Sequence, residues 1–230
     1  TIDNPVRAVL NKAAEIASDR LPLLYVLTVV SPDDKGALKI RGLFIGDDTE
    51  CFSQAAALSR EVNFTTLPER LKKVVVYLDP EEFKSTWLGN KSIYRTRMAI
   101  ADQGELIVLA PGVRTFGEDP AIDRLVRKYG YRTTPEILSF VNDNKELREN
   151  LSAAAHLLHG SPENRFRVTY AAGNLTREEV ESVGYNYGNL HELMARYYPG
   201  KILTGLHKTA DGEEYYFISN PATGLWKSLK

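Results

Sequence analysis

Two polar side chains, Asn90 and Lys91, occur among aromatic residues in a segment that the sequence predicts to be one helix from about 81 to 99. Asp79 and Pro80 are typical of a helix start, with a capping carboxylate followed by a first-turn proline. At 100° per residue, one stripe of this helix carries four large side chains: Phe83, Trp87, Tyr94 and Met98. Asn90 and Lys91 lie on or beside that stripe. Because a buried ammonium group needs a partner, the pattern favours the edge of a cleft that binds a carboxylate or a hydroxyl. Alternatively, Lys91 extends to water and Asn90 bonds to the backbone.

The loop from Pro111 to Pro120 is a second candidate site, because it follows a predicted strand over 104–110. Open α/β sheets bind their ligands beyond the carboxyl ends of the strands. Arg114, Thr115 and Glu118 could therefore contact a substrate in this loop. An ordinary surface loop is the alternative interpretation.

The histidines give a weaker pattern. His156 and His159 fall on a predicted helix over 145–159, where both are expected on the solvent side, roughly 60° apart. No cysteine or carboxylate accompanies them at a spacing that would complete a metal site. His159 is better explained as a cation in the last helical turn, before Gly160.

Several catalytic motifs are absent from the sequence. The segment Gly112–Gly117 lacks the Lys-Ser/Thr that completes a phosphate-binding loop, and no G-x-G-x-x-G or G-x-S-x-G motif occurs. Cys51 lies near a predicted helix start and away from any histidine, so a thiol nucleophile is not expected.

The elements that position these residues predict an α/β fold. An apolar run over 23–30 and an alternating run over 37–44 indicate an antiparallel hairpin. Predicted strands over 72–78, 104–110 and 165–170 alternate with helices, which is typical of βαβ units. Further helices are expected near 5–18, 49–62, 120–129, 134–142, 176–182 and 189–195, with a polar connector over 63–71 and short strands over 201–219. The prediction is a mixed, largely parallel open sheet over 72–230 with helices on both faces, preceded by the hairpin in an inter-domain region over 1–71.

Composition restricts the function classes. The chain has 230 residues, 43% hydrophobic and 26% charged, which is ordinary for a globular protein. Its net charge of −1 gives no general attraction for nucleic acid or an anionic membrane. One cysteine and no apolar run of about 18 residues fit a cytoplasmic protein. The first residue is Thr1 rather than Met, so we expect a processed chain or part of a longer one.

Several segments, in this order, resemble the later half of the nickel-pincer lactate racemases and their epimerase homologues. They are Asn4-Pro5-Val6 opening an Ala-rich helix, the strand over 23–30, Gly46-Asp47 before a helix, Lys84 to Arg97, and Gly104-Glu105-Leu106-Ile107-Val108 with the loop at Gly112. The resemblance covers most of the chain. It implies the C-terminal, substrate-side domain of an isomerase that racemises or epimerises α-hydroxy acids by hydride transfer to a nickel-pincer nucleotide.

The family carries its cofactor lysine and its histidines in the first half, and the corresponding segments have no match here. The resemblance therefore implies that this chain alone holds no cofactor and is inactive without its N-terminal domain. The family's aromatic–Gln–x–x–Lys element corresponds to Trp87-Leu88-Gly89-Asn90-Lys91. Leu88 replaces the glutamine, which suggests a hydroxy acid other than lactate, such as a sugar acid.

Together, the residue patterns and the resemblance predict six substrate contacts: Trp87, Asn90, Lys91, Tyr94, Arg114 and Thr115. Lys91 is expected to pair with the substrate carboxylate and so orient the α-carbon. The alternative is a stand-alone α/β module that binds a sugar acid or another small carboxylate without chemistry.

Overall fold

The computed structural model describes residues 4–18, 20–33, 35–198 and 202–230. The chain divides into two compact units, Thr1–Asn63 and Phe64–Lys230, whereas the sequence-based boundary lies at 71/72. Thr1, and residue 201 at the start of the predicted tail strands, lie outside the described residues. No helix in the described ranges is long and apolar enough to cross a membrane.

The first unit contains the predicted hairpin, between two helices. Its elements are α1 (Pro5–Ser18), β1 (Tyr25–Pro32), β2 (Leu38–Gly46) and α2 (Thr49–Asn63). The strands are antiparallel, from Tyr25 opposite Gly46 to Pro32 opposite Leu38, with a register shift between Val29 and Val30. Helix α2 packs against both strands.

The second unit is built on a six-stranded sheet. The six strands are β4 (Leu71–Tyr77), β5 (Ile100–Ala110), β6 (Arg167–Ala172), β7 (Asn186–Tyr187), β8 (Gly205–Lys208) and β9 (Glu214–Ile218). Two further strands, β3 (Phe64–Leu67) and β10 (Leu225–Ser228), form a separate pair. The sheet order is β7-β6-β5-β4-β9-β8, and every neighbouring pair is parallel except β8 with β9. The remaining strands, β3 and β10, form a parallel pair, so the prediction of a connector over 63–71 was wrong for residues 64–67.

Helices surround this sheet. They are α3 (Thr86–Gly89), α4 (Lys91–Tyr94), α5 (Pro120–Tyr129), α6 (Thr134–Asp143), α7 (Lys145–Arg148), α8 (Leu151–His159), α9 (Arg177–Ser182) and α10 (Leu190–Tyr197). Successive residues of a strand point to opposite faces, so Val74 and Val76 enter one core while Val75 enters the other. The predicted fold class, a mixed and largely parallel α/β sheet with an N-terminal antiparallel hairpin, is confirmed.

The prediction of a single helix over 81–99 was wrong. Residues 80–82 form a turn, and only the four-residue helices α3 and α4 follow. Ser85 is extended (φ −139°, ψ 163°) and forms a parallel bridge with Thr115. This pairing with a loop 30 residues away overrides the local helical pattern. The helical periodicity that placed Phe83 and Met98 on one stripe with Trp87 therefore does not apply.

The prediction of a continuous helix over 145–159 was also wrong, and so was the solvent-facing position of His156. The helix is interrupted between α7 and α8. The Asn150 side chain accepts a hydrogen bond from the Ala153 N–H and so starts the second helix. The break changes the helical phase, so that His156 is buried, with 5% exposure.

Candidate functional site

The loops that follow β4 and β5 meet at the carboxyl edge of the sheet, where β4 ends at Tyr77 and β5 at Ala110. Three backbone hydrogen bonds join them: Arg114 N–H to Lys84 O (3.0 Å), Thr86 N–H to Thr115 O (3.0 Å) and Trp87 N–H to Phe116 O (3.0 Å). Because the two strands are adjacent and parallel, the loops leave the sheet side by side, which is where open α/β sheets bind ligands.

A cavity of about 380 Å³ lies between these two loops. It is lined by Lys84, Ser85, Arg114, Thr115, Gly117, Glu118, Asp119, Pro120 and Asp123. Arg114 is exposed, and no ion-pair partner lies within 4.0 Å of it in the described part of the chain. Lys84 lies 3.8 Å from Glu81, a pair that is exposed and therefore weak. Both cations are available to an anionic ligand.

The carboxylates around the cavity are partly committed to structure. Asp123 accepts hydrogen bonds from the Phe116 and Gly117 N–H groups (2.7 and 3.2 Å) and pairs with Arg127 at 2.6 Å. Burial opposes ionisation of Asp123, but these donors outweigh it and hold the pKa of the carboxyl below its usual value. Asp119 caps α5. Ser85 donates a hydrogen bond to Glu118. Because Arg114 has no ion-pair partner among the described residues, its guanidinium is the group best placed to receive a carboxylate.

Of the six residues predicted to contact substrate, the cavity brings together Arg114 and Thr115. Trp87 is half-buried, with its ring centroid 4.6 Å from that of His156. Tyr94 lies 5.2 Å from His159, measured between ring centroids. Neither Trp87 nor Tyr94 lines the cavity, and their role in binding stays a prediction.

Lys91 and Asn90 adjoin in sequence but differ in environment. Lys91 is half-buried. Its ammonium lies 6.0 Å from the centroid of the Phe83 ring and has no carboxylate within ion-pair distance among the described residues. Asn90 has 0% exposure, and among the described residues neither atom of its amide has a hydrogen-bond partner of normal geometry. Substrate contact by Asn90 stays a prediction.

Sequence reasoning missed a buried chain of hydrogen bonds beneath the loops. His156 Nε2 lies 2.9 Å from the Tyr131 hydroxyl, which lies 2.8 Å from Thr86 Oγ1, and Thr86 donates at 2.7 Å to the Phe116 carbonyl. Because the Thr86 proton goes to a carbonyl, Tyr131 must donate to Thr86, and His156 must donate through Nε2–H. The members lie far apart in sequence, so no spacing signal could have found them.

Burial keeps His156 neutral. Removal from water, helped by the nearby charge of His159, lowers the pKa of His156 to about 3. Burial also raises the pKa of Tyr131. These hydrogen-bonded side chains therefore position the two loops without carrying charge at neutral pH.

The comparisons with known proteins give the fold. No protein-family model matches the chain, and no curated protein matches it in sequence. Among solved structures it is similar to a protein from Thermotoga maritima, with 19% identity and a TM-score of 0.77 over 99% of this chain and 55% of that chain. It is also similar to the lactate racemase apoprotein from Thermoanaerobacterium thermosaccharolyticum, with 13% identity and a TM-score of 0.68 over 98% of this chain and 50% of that chain.

The chain has a lactate-racemase-like fold. At these identities the likeness concerns the fold alone. The chain spans about half the length of both solved proteins.

The described residues offer no nickel site of their own. They contain no group of three or more His, Cys, Asp or Glu side chains placed to hold a metal ion. Nε2 of His156 is engaged with Tyr131, and His156 is buried. These residues do not fit a nickel centre, so no chemical step through nickel is derived for this chain.

Proposed function

We propose that this chain is the substrate-side domain of a racemase or epimerase of α-hydroxy acids. The hydride acceptor, a nickel-pincer nucleotide, would be supplied by a separate N-terminal domain, and the chain alone would be inactive. The likeness to one half of a lactate racemase apoprotein supports the domain assignment. The cavity between the loops after β4 and β5, with Arg114 free of any ion-pair partner among the described residues, is the observation that supports a carboxylate substrate.

In this proposal Arg114 receives the substrate carboxylate through paired N–H donors, with Lys84 adding a second positive charge. Thr115 Oγ donates to the Gly117 carbonyl at 3.0 Å, so its lone pairs remain available to accept from a substrate hydroxyl. Two anchored groups would fix the orientation of the α-carbon between them. Lys91 and Trp87, on the adjoining helices, are proposed as further contacts on the same substrate.

The binding role is tested by titrating the 230-residue chain with D-lactate, L-lactate and gluconate by calorimetry. Replacing the guanidinium in Arg114→Ala should weaken binding about tenfold or more, since it removes charge-assisted hydrogen bonds. Arg167→Ala is the matched control. Arg167 is exposed and begins β6, so it lies at the amino ends of the parallel strands, whereas the cavity lies at their carboxyl ends. Lys91→Ala tests the proposed contact of Lys91 separately. Equal affinities for the parent, Arg114→Ala and Lys91→Ala would refute the proposed site.

The isomerase role is tested on the complete gene product, with a hydroxy acid deuterated at the α-carbon. Hydride transfer predicts inversion at that carbon with the deuterium retained in the product. Inversion with loss of deuterium to water would contradict it.

A stand-alone binding module is the second candidate. One observation favours it: among the described residues, the cavity is lined by cations and carboxylates but by no histidine that could act as acid or base. Such a module would bind gluconate through Arg114 equally well, and its complete gene product would leave every hydroxy acid unchanged.

A further inference from the structure

Exposed apolar side chains are concentrated in the first unit. Most of the large apolar side chains that are exposed in the described part of the chain fall within its residues, although the second unit is much longer. Few of its apolar residues are buried: Val29, Cys51 and Ala55. Helix α1 has no buried residue in its described range. Extended apolar surface of this kind marks an interaction site in a folded protein.

The hairpin accounts for the largest part of this surface. One of its faces, called here the outer face, consists of four cross-strand pairs: Val26 with Ile45, Thr28 with Leu43, Val30 with Ile40, and Pro32 with Leu38. No charged residue belongs to this set. Leu43 is 58% exposed and Ile40 is 70% exposed. The opposite face carries Gly42, where an added Cβ would lie 2.5 Å from Leu58 of α2, so α2 covers that side.

An irregularity in the strands maintains the outer face. Ile40 and Leu43 are three positions apart, an odd number, so in a regular strand they would point to opposite faces. The register shift between Val29 and Val30 leaves Arg41 without a paired residue and returns Ile40 to the face of Leu43. Arg41 donates to Ser31 Oγ at 2.9 Å and to the Pro32 carbonyl at 3.0 Å. The bulge therefore accommodates the one charged residue between Ile40 and Leu43 without interrupting the apolar surface.

We propose that the outer face is the docking surface for a second folded domain of the same protein, one that presents an apolar and uncharged surface. The identity of this partner rests on the proposed function. The chain spans 55% and 50% of the two solved proteins with its fold, so a partner of similar length to this chain is expected. An isolated two-stranded hairpin is marginally stable in water, and a partner would cover its free face. Interface centres are depleted of charge, as this face is.

The probe is the remainder of the gene product, expressed as a separate polypeptide. We expect it to form a one-to-one complex with the 230-residue chain, and to slow amide hydrogen exchange in β1 and β2. Leu43→Asp would bury a carboxylate in the interface, so its affinity should fall about 30-fold or more. Leu151→Asp is the matched control, since Leu151 is 62% exposed but begins α8 in the second unit, and it should change the affinity less than about twofold.

Circular dichroism checks that Leu43→Asp remains folded. Thr28→Asp, on the same face, replaces it if it does not. The proposal would be overturned by a gene that encodes no further segment, by a complex in which exchange of β1 and β2 is unchanged, or by a homodimer formed through the outer face. A complex that forms as expected but isomerises no hydroxy acid would refute the proposed function and leave the docking surface standing.

Discussion

Mild acid should destabilise the second unit through His156, at a pH where the carboxylates are still ionised. His156 is buried, and its pKa is lowered to about 3, first by loss of water and then by the charge of His159. In an unfolded chain the histidine pKa is about 6.5. Between these two values the unfolded chain binds a proton that the native chain does not, so stability falls as pH falls.

The expected loss between pH 7 and pH 5 is about 2 kcal/mol, because one pKa unit corresponds to about 1.4 kcal/mol and the unfolded histidine is almost fully protonated at pH 5. The carboxylates act in a lower window. Burial opposes ionisation of Glu213, but hydrogen bonds led by Lys73 lower its pKa from 4.5 to about 2. Its contribution is present above about 4.5 and is lost only as pH falls below that value. The range from pH 7 to pH 5 therefore isolates the histidines.

Guanidinium unfolding at pH 7 and pH 5, followed by tryptophan fluorescence, measures this loss. Both tryptophans, Trp87 and Trp226, lie in the second unit, so the signal reports that unit. His156→Gln keeps an N–H donor for Tyr131 and should remove most of the pH dependence. His159→Gln is the matched control: its pKa is also lowered by burial, but the residue is more exposed and should matter less. Equal losses in the parent and in His156→Gln, or a pKa of His156 above about 6 by NMR, would refute the reasoning.

Two further predictions concern the sheet and the loops. Lys73→Met removes the cation that pairs with Glu105 at 3.2 Å and also with Glu213, so the free energy of unfolding should fall by about 2 kcal/mol, measured by urea denaturation. An unchanged value would mean that water already compensates the two carboxylates. Gly112→Ala would place a Cβ 2.6 Å from the Cα of Pro80, pushing apart the two loops that carry the cavity. It should cost about 1–3 kcal/mol of stability and weaken gluconate binding. Unchanged affinity for gluconate would mean that the contact between Gly112 and Pro80 does not shape the cavity.

Local patterns were sufficient for the hairpin and for the strands of the sheet. Alternation and apolar runs predict β1, β2, β4, β5 and β6 because the side-chain period of a strand is set by the backbone itself. The helix predicted near 120–129 is α5, which runs from Pro120 to Tyr129. The position of the loop after β5 at a strand end was enough to single out Arg114 and Thr115, which line the cavity.

Tertiary structure alone decided which segments meet. The helical period over 81–99 gave way to the pairing of Ser85 with Thr115, so Lys84 reached the cavity although the pattern had placed it in a helix. The break before α8 changed the phase of a helix and buried His156. Its bonding to Tyr131 joins residues 25 apart in sequence. Sequence periodicity describes a residue's immediate neighbours, whereas these outcomes depend on contacts between distant segments, whose free energies outweigh local propensity.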